Sequence, residues 1–184
     1  ATLAGSTLKT HDALARPFQN PEQGEKFEPP MHLNEIFAPN AVITALPATS
    51  KSQVLRSLAE AAATANDLDS QELFEILRER ERLGSTAIGD GVALPHAKVP
   101  GLDRLIGWVA CLEKPVPFDA IDDKPVDLVV LLLAPEGAGA DHLRVLAQLS
   151  RLARDHQRCA ALRGCSSADA LWQTLTEEEK RRAA

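Results

Sequence analysis

The chain has 184 residues, a length typical of one domain with room for a tail. Its net charge of −6 argues against nucleic acid as a partner, since phosphate binding usually needs a basic face. No apolar run approaches the roughly 18 residues that a membrane-spanning helix needs, so no direct membrane insertion is expected. The cysteines lack zinc-type spacing and are interpreted as reduced thiols of a cytoplasmic protein: Cys111, Cys159 and Cys165.

The first 30 residues differ in composition from the rest of the chain. They are polar, contain proline and show no clear hydrophobic period, and they lack the apolar segment of a secretory signal. We interpret residues 1–30 as a segment added for expression or a flexible extension, with a short packed extension as the alternative. Residues 31–184 are then expected to form a single domain.

From Met31 onward, helical and extended patterns alternate along the chain. Strands are predicted where Val, Leu and Ile are dense, at residues 41–46, 86–88, 92–94, 105–112 and 126–134. Helices are predicted to begin at a capping box over Ser50–Gln53, near Asp69 or Ser70, and near His142, Arg158 and Ser167. This mixture indicates an α/β fold, with a mixed β-sheet flanked by helices in a three-layer sandwich.

Arg80 is the first candidate functional residue along the chain. It lies in the charged run Arg78–Arg82, whose other members, including Glu81, we assign to the solvated surface. Arg80 differs because it falls on the apolar helical stripe that contains Leu73 and Leu77. An arginine seldom points inward without a partner, and its planar fork suits a phosphate or a carboxylate. We therefore predict an anion-binding role for Arg80, with local pairing to a neighbouring glutamate as the alternative.

The polar residues that follow are weaker candidates. Ser85 and Thr86 can hydrogen-bond an anion or merely satisfy local backbone groups, and Asp90 can orient a histidine or simply form a turn. The chain contains neither the GxxxxGK[ST] nor the GxGxxG nucleotide-binding loop, and neither HExxH nor EF-hand spacing. The GxSxG nucleophile elbow of hydrolases is also absent. We therefore expect no metal ion or other cofactor.

His96 is the residue on which the predicted chemistry centres. It directly follows Pro95, at the end of the glycine-punctuated apolar run 84–95. The proline restricts its own backbone and that of Leu94, and the glycines leave space around the imidazole ring. With an ordinary pKa of about 6.5, a histidine is mostly neutral and nucleophilic at cellular pH. The pattern favours a nucleophile that accepts a bulky charged group; the alternative is an ordinary surface histidine in a loop.

His142 is a second candidate, at the start of a helix predicted over residues 142–155. It follows Asp141, a candidate N-cap, and shares a helix face with Val145 and Leu149, so it should point towards the edge of the core. Free N–H groups and the positive end of the helix dipole favour a bound anion at this place. His142 can donate a hydrogen bond to a phosphoryl group or to a second histidine; the alternative is a simple first-turn residue.

Two stretches around these candidates together resemble a known family. The run ERERLGST at 79–86 and the run GDGVALPH at 89–96 resemble the signature of the type-2 enzyme IIA domain of the phosphoenolpyruvate-dependent phosphotransferase system. Later segments agree with it, namely FDAID at 118–122, PVDL at 125–128 and DHL at 141–143. The resemblance covers about residues 33–175 and is closest to the nitrogen-related regulatory subgroup of the fructose, mannitol and nitrogen class.

The resemblance implies a role for each main candidate. His96 matches the histidine that accepts a phosphoryl group on Nε2, His142 the second active-site histidine that supports this group, and Arg80 the active-site arginine. Ser85 and Thr86 are predicted to contribute to phosphoryl binding. A histidine phosphocarrier protein would donate the group, and in principle no metal ion or nucleotide is required, because donor and acceptor are both histidines.

Three functions stay open from the sequence. The first is a regulatory phosphorelay protein whose phosphorylation state controls partners such as potassium transport components or sensor kinases. The second is a sugar-transport enzyme IIA that passes its phosphoryl group to a cysteine of a membrane permease domain. We find neither a membrane segment nor a permease-like sequence within these 184 residues, and we therefore expect the first function. The third is a docking module that no longer transfers phosphate.

Overall fold

The computed structural model describes residues 31–177, so the interpretation of residues 1–30 lies outside the described part of the chain. Within that part, the helices are α1 (Leu33–Ile36), α2 (Lys51–Asn66), α3 (Ser70–Arg82), α4 (Gly139–Ala153), α5 (His156–Arg163) and α6 (Ala168–Thr176). The strands are β1 (Val42–Leu46), β2 (Ala87–Gly89), β3 (Val92–Ala93), β4 (His96–Val99), β5 (Ile106–Val116) and β6 (Val126–Pro135).

The strands form one mixed sheet, which confirms the predicted sheet type. Their order is β1–β5–β6–β3–β2, and β4 also pairs with β6. The long strands β5 and β6 are antiparallel, β1 runs parallel to β5, and both β3 and β4 run parallel to β6. Val92 of β3 lies opposite Leu128, and His96 of β4 lies opposite Leu132. The short strands β3 and β4 therefore lie end to end along one side of β6.

Helices cover both faces of this sheet, as the predicted three-layer arrangement requires. Successive side chains of a strand point to opposite faces, and β6 shows this period clearly. Its odd-numbered residues from Val129 to Leu133 belong to the core formed with α2 and α3. Its even-numbered residues from Leu128 to Ala134 belong to the core formed with α1, α4, α5 and α6. No helix within residues 31–177 is both long and apolar enough to span a membrane.

The predicted helix starts are correct for α2 and α3 and wrong for α4. Ser50 accepts a hydrogen bond from the Gln53 N–H at 3.2 Å, and Asp69 accepts one from the Glu72 N–H at 2.7 Å. Helix α4 instead begins at Gly139, ahead of Asp141, so Asp141 is not the N-cap. An acidic residue is also favourable inside the first turn, where it faces the positive end of the helix dipole. His142 consequently occupies the fourth position of α4.

Strand β4 was not expected from the sequence pattern, and it changes the setting of His96. The four residues of β4 include a histidine and a lysine, so they do not form an apolar run. Their extended conformation depends on parallel pairing with β6, which the local sequence does not reveal. His96 therefore opens a strand rather than lying in a loop. Pro95, which has no N–H to donate, separates β3 from β4, and its carbonyl accepts from the Leu132 N–H at 3.0 Å.

Candidate active site

Three of the predicted residues meet at the edge of the sheet next to β4. Arg80 comes from the last turn of α3, His96 from the start of β4, and His142 from the first turn of α4. The Nη2 atom of Arg80 lies 3.5 Å from Nε2 of His96. The ring centroids of His96 and His142 are 6.1 Å apart, with ring planes at 66°. Because α3 and α4 pack on opposite faces of the sheet, these side chains can meet only at its edge.

Hydrogen bonds define which nitrogen of His96 is free. Its Nδ1 lies 2.8 Å from the carbonyl oxygen of Leu94, and a carbonyl oxygen can only accept, so Nδ1 carries the proton. Pro95 favours an extended Leu94, which presents this carbonyl to the ring two residues later. In the neutral ring, Nε2 then holds the lone pair, and the guanidinium of Arg80 faces it as a donor. Nε2 is therefore the ring nitrogen of His96 that holds the free lone pair.

The pKa values of both histidines are lowered, so both rings are neutral at neutral pH. Burial lowers the pKa of His96 and the charge of Arg80 lowers it further, while the hydrogen bond to Leu94 and the charge of Glu81 oppose the change. Burial also lowers the pKa of His142, assisted by His96 and Lys98. A neutral His96 keeps its Nε2 lone pair available for attack.

His142 has a buried polar atom without a partner. The residue is only 8% exposed, and its Nε2 has no hydrogen-bond partner among the described residues. An unsatisfied buried polar group costs about 1–3 kcal/mol, so such atoms are uncommon. As predicted, His142 lies on the inner face of α4 with Val145 and Leu149. Its position next to His96 suits a hydrogen bond to an anion bound between them.

Arg80 is held between a loop and the histidine. Its Nη1 donates to the carbonyl oxygen of Gly84 at 3.1 Å, and its Nη2 faces His96. In the described part of the chain, its glutamate neighbours have other cations: Glu79 pairs with Arg82, and Glu81 pairs with Lys51. Arg80 therefore forms no ion pair with a neighbouring glutamate within residues 31–177, and the alternative of local pairing is wrong. The remaining N–H groups of the guanidinium are available to an anion.

Comparisons with known proteins agree with this geometry. The family described as "Phosphoenolpyruvate-dependent sugar phosphotransferase system, EIIA 2" matches residues 35–178. The chain belongs to this family. It is 46% identical over 145 residues to the nitrogen regulatory protein of Bradyrhizobium diazoefficiens, covering 79% of this chain and 95% of that protein. It is 37% identical over 148 residues to the nitrogen regulatory protein of Pseudomonas aeruginosa, covering 80% and 96%.

Solved structures support the same assignment of this enzyme IIA domain. The nitrogen regulatory protein IIA-Ntr of Neisseria meningitidis superposes with a TM-score of 0.74 at 33% identity, covering 78% of this chain and 99% of that chain. The IIA mannitol domain of Escherichia coli superposes with a TM-score of 0.62 at 19% identity, covering 74% and 96%, which shows a shared fold.

Ser85 and Thr86 lie in the loop after α3, and both hydroxyl groups already donate hydrogen bonds. The Ser85 hydroxyl donates to the carbonyl oxygen of Phe118 at 2.6 Å. The Thr86 hydroxyl donates to the carboxylate of Glu81 at 2.6 Å. Each hydroxyl has one proton, so either residue would have to give up its bond in order to donate to an anion. Phosphoryl binding by these two residues stays a prediction.

The assignment of Glu81 to the solvated surface is wrong. Glu81 is only 7% exposed and accepts hydrogen bonds from Thr86 and from Nζ of Lys51. It lies four residues after the buried Leu77, so the helical period that singled out Arg80 also includes Glu81. Its charge and its position in a charged run hid this signal, because an ionised carboxylate is seldom buried without partners.

Asp90 forms a turn and does not orient His96. It has a positive φ of 51° between β2 and β3, and its carboxylate pairs with Lys124 at 2.7 Å. The N–H of Asp90 donates to the carboxylate of Asp122 at 2.8 Å. The nitrogen of His96 that an acid would orient, Nδ1, is bonded to the carbonyl of Leu94 instead. Of the two roles considered for Asp90, the structure supports the turn.

The remaining candidates for reactive or metal-binding groups lie outside the site. Within residues 31–177, no three His, Cys, Asp or Glu side chains come together as a group that could hold a metal ion. Cys111, Cys159 and Cys165 are free thiols, as predicted. Burial raises the pKa of Cys111 to about 11, which keeps this thiol protonated and unreactive.

Proposed function

We propose that this protein accepts a phosphoryl group on Nε2 of His96 from a phosphohistidine of a small carrier protein, and that its phosphorylation state regulates partner proteins. The observation that supports this most directly is the contact between Nε2 of His96, which holds a lone pair, and the guanidinium of Arg80. Membership of the enzyme IIA family supports the transfer, and relatives named as nitrogen regulatory proteins support the regulatory role.

The proposed transfer moves one phosphoryl group between two ring nitrogens. Nε2 of His96 attacks the phosphorus in line, the N–P bond of the donor breaks, and the donor nitrogen keeps the bonding electron pair. No proton has to leave Nε2, because the proton of the ring is on Nδ1. The His96 ring becomes cationic as its N–P bond forms, and the hydrogen bond from Nδ1 to the carbonyl of Leu94 stabilises that charge.

Charge on the phosphoryl oxygens is neutralised by the other two residues of the site. The free N–H groups of Arg80 can contact two oxygens at once, as a planar fork does with phosphate. The buried Nε2 of His142 gains a partner when its N–H donates a hydrogen bond to a phosphoryl oxygen. The phosphoryl donor and acceptor are both histidines, so this transfer requires no nucleotide or metal ion in principle.

Regulation follows from the charge that transfer adds. Phosphorylation brings a charge of about −1.5 to −2, which changes the preference of the surrounding surface for its partners. Two large exposed apolar side chains border the site: Leu83 follows α3 and is 75% exposed, and Leu143 follows His142 and is 67% exposed. We propose that a partner covers these side chains together with the site. Potassium transport components and sensor kinases are the proposed regulatory targets.

The first test is phosphorylation of the full chain. The chain is incubated with phosphoenolpyruvate, enzyme I and a histidine phosphocarrier, and its intact mass is measured under non-acidic conditions. We expect one acid-labile phosphoryl adduct that is absent from His96→Ala and present in His156→Ala, since His156 is exposed on another helix. An adduct that persists in His96→Ala would move the acceptor elsewhere. No adduct with any carrier would leave a docking module.

A second test separates regulation from sugar transport. The phosphorylated chain is mixed with a permease domain of the fructose or mannitol type, and loss of the adduct is followed over time. Transfer to the cysteine of that domain would indicate a transport component. Retention of the phosphoryl group, together with a change in affinity for a regulatory partner, supports the proposed function.

A further inference from the structure

Glu81 is a buried carboxylate that the transfer described above does not use. Its oxygens accept from the Thr86 N–H at 3.1 Å, from the Thr86 hydroxyl at 2.6 Å and from Nζ of Lys51 at 3.1 Å. Removing a carboxylate from water is costly unless its oxygens are well satisfied. Lys51, which also pairs with Asp119 at 2.6 Å, offsets part of this charge. The bonds from Thr86 connect the carboxylate to the loop after α3.

A chain of hydrogen bonds leads from this carboxylate to the nucleophile. The Thr86 N–H donates to the Glu81 carboxylate. The carbonyl oxygen of Thr86 accepts a hydrogen bond from the Leu94 N–H at 3.0 Å. Leu94 in turn accepts from Nδ1 of His96 at 2.8 Å. The N–H and the carbonyl of one residue belong to different peptide groups, so this chain acts by fixing backbone positions. It thereby fixes the proton on Nδ1 and the lone pair on Nε2.

The same loop also positions Arg80. The main-chain carbonyl of Glu81 accepts from the Gly84 N–H at 3.2 Å, and the Gly84 carbonyl accepts from Nη1 of Arg80 at 3.1 Å. Packing does not hold this part of the loop, since Leu83 is exposed and a Cβ at Gly84 would meet nothing within 4 Å. At Leu83 and Gly84 hydrogen bonds therefore supply the order of the loop, whereas Thr86, which is only 5% exposed, is held by packing as well as by its bonds to Glu81.

We propose that Glu81 is a positioning residue for phosphoryl transfer, whose buried carboxylate orients His96 through the backbones of Thr86 and Leu94. The inference rests on the proposed role of His96 as the phosphoryl acceptor. Glu81 does not touch the reacting atoms, so its effect should lie in the orientation and the tautomer of His96 rather than in partner binding.

The test uses Glu81→Gln with Glu79→Gln as the matched control. Glu79 lies on the same helix two residues earlier, but it is exposed and pairs only with Arg82 among the contacts described. Nitrogen-15 spectra of the histidines in the full chain report the tautomer of each ring. We expect wild type and Glu79→Gln to show His96 with its proton on Nδ1, and Glu81→Gln to populate the Nε2–H tautomer.

Transfer kinetics give an independent readout. In single-turnover reactions with the phosphorylated carrier, we expect Glu81→Gln to lower the maximal rate about tenfold, because displacing a reacting group by a fraction of an ångström slows a reaction that depends on its orientation. The carrier concentration at half-maximal rate should not change, because the docking surface is untouched. A wild-type tautomer together with a wild-type rate in Glu81→Gln would overturn the inference.

Two further outcomes are distinguishable. If the wild-type chain accepts no phosphoryl group, the proposed function fails, and the tautomer of His96 in the two variants still decides whether Glu81 positions the ring. If Glu81→Gln does not fold, Glu81→Asp replaces it, because its carboxylate keeps the charge near Lys51 but is one methylene short of Thr86. We expect the same tautomer change in Glu81→Asp, and its absence would overturn the inference.

Discussion

The row formed by β3 and β4 along β6 carries two polar clusters of opposite character, one just before β3 and one where β4 begins. In the cluster near β3, each charge has a partner: Lys124 pairs with Asp90 at 2.7 Å, and Arg163 pairs with Asp127 at 2.8 Å. In the cluster near β4, two neutral histidines and one arginine meet, and Nε2 of His142 has no partner among the described residues. Satisfied polar groups hold a structure together, whereas unsatisfied ones mark a place for a ligand.

The paired cluster shows how a purely structural network is built. Arg163 of α5 donates from Nε to Asp127 and from Nη2 to the carbonyl of Asp90, each at 2.8 Å. It thus fastens α5 to the turn between β2 and β3. Gly91, which follows Asp90, has a φ of +76° that favours glycine, and a Cβ there would lie 2.9 Å from Nη2 of Arg163 and would push the guanidinium away from the Asp90 carbonyl. Arg80, in the cluster near β4, donates to one carbonyl, and its other guanidinium N–H groups are available to an anion.

The largest expected effect is on transfer by Arg80→Ala. We expect the rate constant for phosphoryl acceptance to fall about 10³-fold, the lower part of the range for an arginine that stabilises phosphoryl transfer. The free energy of unfolding should fall by no more than about 1 kcal/mol, because the partly buried side chain donates one hydrogen bond to a main-chain carbonyl. Single-turnover kinetics and urea unfolding measure the two quantities. The control is Arg78→Ala on the same helix, whose exposed side chain pairs with Glu75.

The opposite result for Arg80→Ala would break the comparison between the two clusters. Transfer at the wild-type rate together with a large loss of stability would make Arg80 a structural residue, similar to Arg163.

Arg163→Met should produce the reverse pattern. We expect the free energy of unfolding to fall by about 1–3 kcal/mol, because the variant leaves Asp127 and the carbonyl of Asp90 without their donor. The transfer rate at saturating carrier should stay unchanged. Urea unfolding and the same kinetic assay provide the measurement, with Arg82→Met as an exposed ion-pair control that costs less than about 1 kcal/mol. A slower transfer in folded Arg163→Met would show that the two clusters are coupled.

The smallest expected effect is a pH dependence of the free energy of unfolding that originates at His96 and His142. Folding lowers the pKa values of His96 and His142 below the ordinary value of 6.5. At pH values between the folded pKa values and 6.5, these histidines therefore bind more protons in the unfolded chain than in the folded one. The free energy of unfolding should therefore be highest above pH 6.5 and fall as the pH decreases through this window. Urea unfolding at several pH values measures the slope.

A variant assigns this slope to the site. His142→Gln removes one of the two rings whose pKa is lowered and should weaken the pH dependence. An equal slope in His142→Gln would show that the pH dependence arises elsewhere.

Local patterns in the sequence were sufficient for much of the fold. Some features depend only on residues close together in the sequence and could be predicted without the rest of the chain. They are the helix caps at Ser50 and Asp69, the apolar period of α2 and α3, and the high density of Val and Leu in β6. The strand β4 could not be predicted in this way, because its extended conformation depends on pairing with β6, which is distant in the sequence. The helical period did include Glu81, but its partner Lys51 lies thirty residues earlier in the chain and could not be identified from the sequence.

The sequence by itself determined which side chains are available for chemistry and the stiff backbone before His96, because Pro95 restricts its neighbours locally. Only the tertiary structure decided that Arg80 from one helix layer and His142 from the other meet at this ring. It also decided which ring nitrogen is free, since parallel pairing with β6 and the turn through Leu94 place the acceptor of Nδ1. Burial and long-range pairing set these features, and neither is encoded in a short stretch of residues.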